Sequence, residues 1–482
     1  VPRRAHTTPD HRYRTRLHAM KTFTFTTDAD TQEVVGYFTR SFYHKSAVPL
    51  IVITVILAWL ARPSTTEEIP KGFRKFQAKY LVAWVFCVAS DWLQGPYVYA
   101  LYAAYGFPRH EIAKLFVAGF AAALVFSGVA GSLCDRFGRK RSVLAYVVLY
   151  IVSCLTKHVK LYWVLLLGRI TGGFATSLLF SCFEAWMVSE HVGRHGFSSG
   201  LLGYMFGVMY TSMYLVAIVT GFVGEALADG FKFQPMAEGS VIYRGGDLGP
   251  FDLAILCLVV GGLFVMLFWE ENYGSDEGGQ GEALGMLASV KESARLLFRD
   301  RRVLLLCCVV ACFESSMYAF VFNWTPALDS KEVPPPYGLI FSLYMMACMC
   351  GASVSTITSA LAPASRLASA FVIGIAVFVV AAKVVGSSQL QLIFAAFVAF
   401  EFSVGVYFPS VGVLKSEVVP ERVRGTMYNI YRVPLNAIVV ALLLTNLSTV
   451  TVYAACAVLL GVSLLAVCAV MAMPKAGAKK LG

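Results

Sequence analysis

The chain has 482 residues, of which 57% are apolar and 14% charged, and carries a formal net charge of +11; soluble domains run at roughly 45–50% apolar and 25% charged. That balance excludes a protein bathed in water on all sides, because too few charged residues remain to cover the two or three soluble domains this length would otherwise make. Nucleic acid is excluded as a partner too: Lys and Arg stand in short clusters between apolar runs, not on one basic face interleaved with aromatics.

In chain order, residues 1–46 are polar and Arg-rich at their start, and are expected to be disordered; the first methionine is Met20. A short apolar run at 47–61 is expected to be either an extra crossing or an interfacial or anchor helix, since a bilayer core takes about 20 apolar residues per helix. Longer runs follow at 79–105, 111–134, 142–157, 161–189, 198–228 and 251–269. A charged linker, 270–302, opens with Glu270, Glu271, Asp276 and Glu277 and closes with Lys291, Arg295, Arg299, Arg301 and Arg302. Six more runs come after it, at 303–328, 336–362, 366–383, 390–414, 426–447 and 449–472, and a short tail, 473–482, ends the chain. The predicted fold is therefore an all-α membrane protein of twelve core helices in two halves, 79–269 and 303–472, with a possible extra N-terminal helix. Two-half plans of this kind belong to carriers built from repeats.

Positive loops stay cytoplasmic. One set of alternating loops holds Arg62, Lys71, Arg74, Lys75 and Lys79, the Arg136–Arg141 cluster, Arg194, the linker cluster, Arg366, Lys415, Arg422, Arg424, Lys475, Lys479 and Lys480. The opposite set holds Arg109, Lys114, Lys157, Lys160, Lys232, Arg244, Lys331 and Lys383. The linker and C-terminus are thus expected in the cytoplasm, and the plasma membrane is the expected location. The twelve cysteines lie mostly inside apolar runs without C-x-x-C or His partners, and read as small apolar fillers, with no metal site. No cofactor motif is present. The absence of H-E-x-x-H, G-x-S-x-G and a phosphate-binding G-x-x-x-x-G-K-[ST] argues against an enzyme and against direct drive by ATP. Membrane lipid and one small solute are the expected partners, and a monomer the expected state.

The most specific motif is Gly131-Ser132-Leu133-Cys134-Asp135-Arg136-Phe137-Gly138-Arg139-Lys140, at the end of the second core helix. Gly131 would let a neighbouring helix approach, Asp135 could face a helix N-terminus, and Gly138 permits a tight turn held by Arg136, Arg139 and Lys140. The spacing resembles the G-x-x-x-D-R-x-G-R-[KR] signature of the major facilitator superfamily, and the resemblance implies that these residues form a latch between the halves in the outward-facing state. Gly168-Arg169-Ile170-Thr171-Gly172-Gly173 resembles a second element of that superfamily. The equivalent turn of the second half, Ser359 to Arg366, lacks the acidic residue and both glycines.

Several blocks are similar to one branch, the molybdate-anion transporters. They are Ser90 to Tyr99 with Leu101 and Tyr102, Phe180 to Trp186, Phe313 to Ser315 with Asn323 to Pro326, then Glu401, Gly405 and Tyr407 to Ser410, and Tyr431 to Leu435. The resemblance spans about residues 76 to 470 and implies that the solute is molybdate, a tetrahedral dianion.

Charged side chains near the bilayer centre are costly, so they face a cavity or a partner. Asp91, Arg169, Glu184, Glu314, Glu401 and Arg432 stand out by depth. Arginine suits an oxyanion because it stays charged and presents a planar fork of donors. Arg169 and Arg432 are accordingly the expected ligands, with Asp91, Gln94, Tyr97, Asn323, Tyr407 and Asn429 in the same substrate-binding set. Glu314, Glu401 and Glu184 are expected to carry a coupled proton, or alternatively to form fixed ion pairs with the two arginines. Other open readings are sulfate, another oxyanion or a small organic solute on the same fold, and a solute sensor that passes no solute.

Overall fold

The computed structural model describes residues 42–273, 282–329, 335–387, 389–420, 424–445 and 447–473. Most of the polar N-terminal segment, residues 274–281 of the linker and nearly all of the C-terminal tail lie outside that range.

The first helix, α1 (Phe42–Leu60), begins five residues before the apolar run at 47–61 and reaches 19 residues, close to a full crossing. The next crossing is made in two pieces, α2 (Phe73–Gln94) and α3 (Tyr97–Ala104). The break falls at Gly95-Pro96, where proline has no N–H to continue the ladder. Then come α4 (Arg109–Phe137), α5 (Arg139–Thr156), α6 (Tyr162–Val188, continued by a wide turn over Ser189–Arg194), α7 (Ser199–Gly230) and α8 (Gly249–Phe268). The second half holds α10 (Arg301–Leu328), α11 (Tyr337–Ile357), α12 (Pro363–Val384), α13 (Leu390–Val418), α14 (Arg424–Leu444) and α15 (Thr449–Ala472). Between them the linker contains a further helix, α9 (Glu282–Arg299), which packs on α10 and α14. Read as a charged stretch, the linker hides this helix, because Ser293 and Leu297 turn inward while Lys291, Arg295 and Arg299 face out.

Among the described residues, eleven helices are long and apolar enough to cross a membrane. The α2–α3 pair and α5 complete the set. They fall short in composition because Arg74, Lys75, Lys79 and Asp91 interrupt the first and Arg139, Lys140 and Arg141 open the second. Exposed apolar side chains such as Val125, Trp163, Leu267 and Leu465 form the lipid-facing surface that a helix in hydrocarbon requires. The chain is a multi-pass membrane protein.

In the first half α4 and α5 pack on α6, and α8 on α2 and α5; in the second, α13 packs on α11 and α12, and α15 on α10 and α12. The halves meet where α7 packs on α11 and α4 on α14. The helix ends define two faces, a basic end carrying Arg74, Arg139, Arg194, Arg302 and Lys415, and an opposite end. α1 packs on α11 of the second half, although it precedes the first half in sequence. Thr54 Oγ1 lies 3.3 Å from Cys350 Sγ, and the Phe42 and Tyr43 rings stand edge-on to Phe394.

The opposite end is capped by a two-stranded hairpin, β1 (Gln234–Pro235) with β2 (Tyr243–Arg244), which bridges through Ile242 to Val159. His158 ties the cap down: its Nε2 lies 3.1 Å from Asp252 Oδ1 and its Nδ1 3.2 Å from the Tyr243 carbonyl. Burial pulls the imidazole pKa down, but the Asp252 bond and charge outweigh it and the net shift is upward. The stabilisation is therefore full below the ordinary histidine pKa and is lost as pH rises through the raised one. Protection of the amides over residues 232–246, taken relative to the intrinsic base-catalysed exchange rate, is expected to fall between pH 6 and pH 9, and Asp252→Asn to flatten that fall; protection that does not change with pH in the unaltered protein would contradict the assignment.

Candidate functional site

The first half sets its deep polar groups on α2, α5 and α6. The Tyr150 hydroxyl donates to the Asp91 carboxylate. Beside it Ser90 and Tyr146 share a hydrogen bond of 3.1 Å, and Gln94 Nε2 turns back to the Ser90 carbonyl at 2.9 Å. Arg169 reaches across to α4, where its Nε donates to the Leu115 carbonyl at 3.2 Å and its guanidinium carbon lies 4.8 Å from the Phe116 ring centroid. The seat exists because residue 119 is glycine: a side chain there would begin 2.7 Å from Arg169 Nη2. No carboxylate pairs with Arg169 among the described residues, so the alternative of a fixed ion pair with Arg169 has no partner there in this conformation. Glu184 is exposed on α6 near the basic end.

The second half gathers its groups more tightly. Glu314 on α10 accepts from the Tyr407 hydroxyl at 3.0 Å and lies 3.7 Å from Lys415 Nζ, both on α13. The Lys415 ammonium stands 5.2 Å from the Tyr428 ring centroid on α14. Arg432 is exposed on α14, one turn along from Tyr428. The partner of Glu314 is thus neither arginine but Lys415, which the basic-loop rule assigns to a loop. It sits instead in the last turn of α13, two turns beyond Tyr407, and that spacing is the signal by which the sequence could have given it away. Glu401, also on α13, is only 7% exposed and faces Tyr344, Cys348 and Tyr214 with no cation beside it among the described residues. The side chain of Asn429 lies outside the described residues.

Two expected ligands are elsewhere. Tyr97 and Asn323 belong to the seam that closes the opposite end. Arg109, the first residue of α4, donates from Nη2 to Asn323 Oδ1 at 2.6 Å and from Nη1 to Thr449 Oγ1 at 3.1 Å, bridging the halves. Glu225 on α7 accepts from the Gly338 amide at 2.7 Å and from the Tyr97 hydroxyl at 3.4 Å. Ser342 donates to the Ile218 carbonyl at 2.8 Å, and Phe322 meets the Tyr99 and Phe116 rings edge-on. The backbones touch here: a side chain on Gly221 would begin 2.6 Å from the Gly338 carbonyl.

At the basic end the motif residues bond inside the first half. Arg139 Nη2 holds Asp135 at 2.6 Å. Lys140 Nζ donates to the carbonyls of Met266 and Trp269 at 2.9 and 2.8 Å, at the end of α8. The Glu271 carboxylate accepts from the amides of Lys140 and Arg141 at 2.8 and 3.2 Å, capping α5 with the charge its N-terminus favours. It fits against Gly138, whose φ of +100° is open to glycine. Arg136 lies over its neighbour Phe137. No atom comes within 4 Å of where a Gly131 side chain would start, so the close helix approach expected at Gly131 is absent from this conformation. The halves are therefore closed at the opposite end, while among the described residues the motif side chains show no bond across the seam.

Two further residues depart from expectation. Cys134 and Cys182 are disulfide-bonded, joining α4 to α6 beside Asp135, while the other ten cysteines are free; the filler reading fails for this pair. Lys157, just past α5, is 1% exposed, and among the described residues its Nζ has no hydrogen-bond partner, with the Tyr102 ring beside it, 5.8 Å to the centroid. Burial first and the nearby Arg169 charge second push its pKa down to about 7. An unpartnered amine in that position destabilises the fold, so Lys157→Met is expected to raise the melting temperature in detergent at pH 6 by a few degrees. A lower value would mean that Lys157 has a partner in the membrane.

Comparison with known proteins supplies the remaining constraint. Residues 42–405 match the family described as sugar transporters, 12 TM. The molybdate-anion transporter of Xenopus tropicalis is 34% identical over 400 residues, covering 81% of this chain and 84% of the relative. That of Danio rerio is 34% identical over 408 residues, covering 80% and 82%. Among solved structures, a D-xylose–proton symporter superposes with a TM-score of 0.61 at 13% identity, covering 84% of this chain and 98% of that one, which speaks to the fold.

Proposed function

This chain belongs to the twelve-span transporter family that its residues 42–405 match, and from that premise we propose that it is a secondary carrier of molybdate. The observation that carries the reading is the kinship with the molybdate-anion transporters, 34% identity over 81% of the chain. The side chains are consistent with it. Arg432 is the first ligand we assign to the oxyanion, with no ion pair among the described residues; Arg169 from the facing half, with Asp91, Gln94 and Tyr407, completes the chamber. Tyr97 and Asn323 serve the seam instead of the solute.

In this scheme the basic end and the C-terminus face the cytoplasm of a plasma-membrane monomer, as the distribution of Lys and Arg favours. The conformation is then the inward-facing one, and the halves rock about the chamber to open outward. Burying an uncompensated carboxylate is costly, so Glu401 is assigned the coupled proton, whereas Glu314 is held by Lys415. The family description favours a sugar as the second reading, one that the arginines do not need.

Uptake into proteoliposomes tests the proposal. Molybdate is expected to accumulate, faster with an inward proton gradient, and excess unlabelled molybdate to compete better than sulfate or glucose. Glucose competition without molybdate flux would favour the sugar, and binding without flux of either would favour a sensor.

A further inference from the structure

A cavity of about 310 Å³ lies at the outer end of the seam, lined by Arg109, His110, Phe322, Asn323, Leu442 and Thr445 among others. It is of the size that holds a small ligand, and it plays no part in the chamber between Arg169 and Arg432. Its lining includes no carboxylate among the described residues. The nearest acid in sequence, Glu111, is held by Lys114 at 2.8 Å and His110 at 3.1 Å, and Asp329 at the end of α10 is exposed to solvent.

Arg109 is therefore a cation whose two bonded partners, the Asn323 amide oxygen and the Thr449 hydroxyl, are both neutral. They satisfy N–H groups without balancing charge. A guanidinium has five N–H donors in a fixed fork, and its bonds to an anion are roughly twice as strong as those to neutral acceptors. Both partners also sit on the far side of the seam, on α10 and α15, while Arg109 stands on α4. Any motion that parts the halves at this end takes both acceptors from Arg109 at once.

We propose that this cavity is an outer capture site for a tetrahedral oxyanion, with Arg109 exchanging its bonds to Asn323 and Thr449 for bonds to the anion as the seam opens. Transfer of the anion from Arg109 to the chamber lets the neutral partners return and the seam close before the anion leaves on the inner side. The inference rests on the carrier reading above for the identity of the anion, for the end that faces outward and for the opening of the seam.

The test uses the full-length protein in proteoliposomes, with Arg109→Gln and Arg109→Lys compared in each assay. Molybdate uptake is expected to show a KM about tenfold higher in Arg109→Gln, with a maximal rate within twofold, and a smaller rise in Arg109→Lys, which keeps the charge but loses the fork. An unchanged KM with a lowered maximal rate would mean that Arg109 only staples the halves, and would overturn the site. A second measurement needs no transport: Thr445→Cys, placed in the cavity wall, is labelled from outside by a membrane-impermeant maleimide. Molybdate is expected to slow labelling at least threefold with Arg109 present and to have no effect in the Arg109→Gln background. Protection that survives loss of Arg109, or no protection at all, rejects the proposal. Arg109-dependent protection in a protein that takes up no molybdate would uphold the capture site and reject the carrier reading.

Discussion

Lys415→Met is expected to cut uptake at least thirtyfold and to lower thermal stability, and adding Glu314→Gln is expected to restore the stability but not the transport. The reasoning starts from position. Glu314 and Lys415 are 16% and 17% exposed, 3.7 Å apart, on helices that pack together. Removing one partner of a buried pair strands the other charge, at a cost of about 3–5 kcal/mol when burial is complete; with this residual exposure the lower end is the guide. Neutralising both removes the penalty, because Gln can still accept from the Tyr407 hydroxyl, which donates to Glu314 at 3.0 Å. Transport stays low because the pair sets the electrostatic field beside Arg432. Detergent melting curves with uptake in the unaltered protein, Lys415→Met and the double variant separate the two effects. Should Lys415→Met alone transport normally, the pair is a bystander and the chamber lies elsewhere.

The second large effect is steric. Gly338→Leu is expected to reduce uptake to a few per cent of the unaltered protein while leaving it folded. A Gly338 side chain would start 2.8 Å from the Glu225 amide nitrogen and closer still to the Gly221 carbonyl and Tyr97 hydroxyl. Helices packed through small residues cannot admit a branched side chain without separating. Separation here also breaks the Gly338 amide bond to Glu225, so the seam fails as a unit and the carrier is held open at that end. Labelling of Thr445→Cys from outside is expected to rise in the same variant. Normal uptake by Gly338→Leu would mean that the seam is not required to close.

How much of this could be read in the residues depends on the range of the forces involved. Helix placement was legible because lipid imposes the same requirement on every crossing: Val, Leu, Ile and Phe runs of fixed length. That Asp91, Arg169, Glu314, Glu401 and Arg432 lie inside helices was legible for the same reason. Pairing was not. That Glu314 bonds to Lys415 depends on how α10 and α13 turn against each other, and that Arg169 lies on Phe116 depends on a glycine fifty residues earlier. The motif around Asp135 has the same spacing whichever way the halves sit, so it carried no information on what surrounds Gly131 in the conformation adopted. α1 was ambiguous because a run of 47–61 is short, and only the packing of Phe42 and Tyr43 on Phe394 extends it. The Cys134–Cys182 bond joins residues 48 apart in sequence, with no local pattern to announce it.

The placement of α1 has a mechanical corollary. This helix grips one half, yet residues 61–72 lead straight into the other, where the Ser198 hydroxyl donates to Glu67 and Pro63 sits over Gly207. If the halves rock as proposed above, each stroke would be absorbed by that short strap, which spans about 40 Å when fully drawn out and less while Glu67 and Pro63 stay docked. On that scheme the strap is a travel stop, and its length, adjusted by deleting or inserting a few residues, would be a dial on how far the basic end can gape.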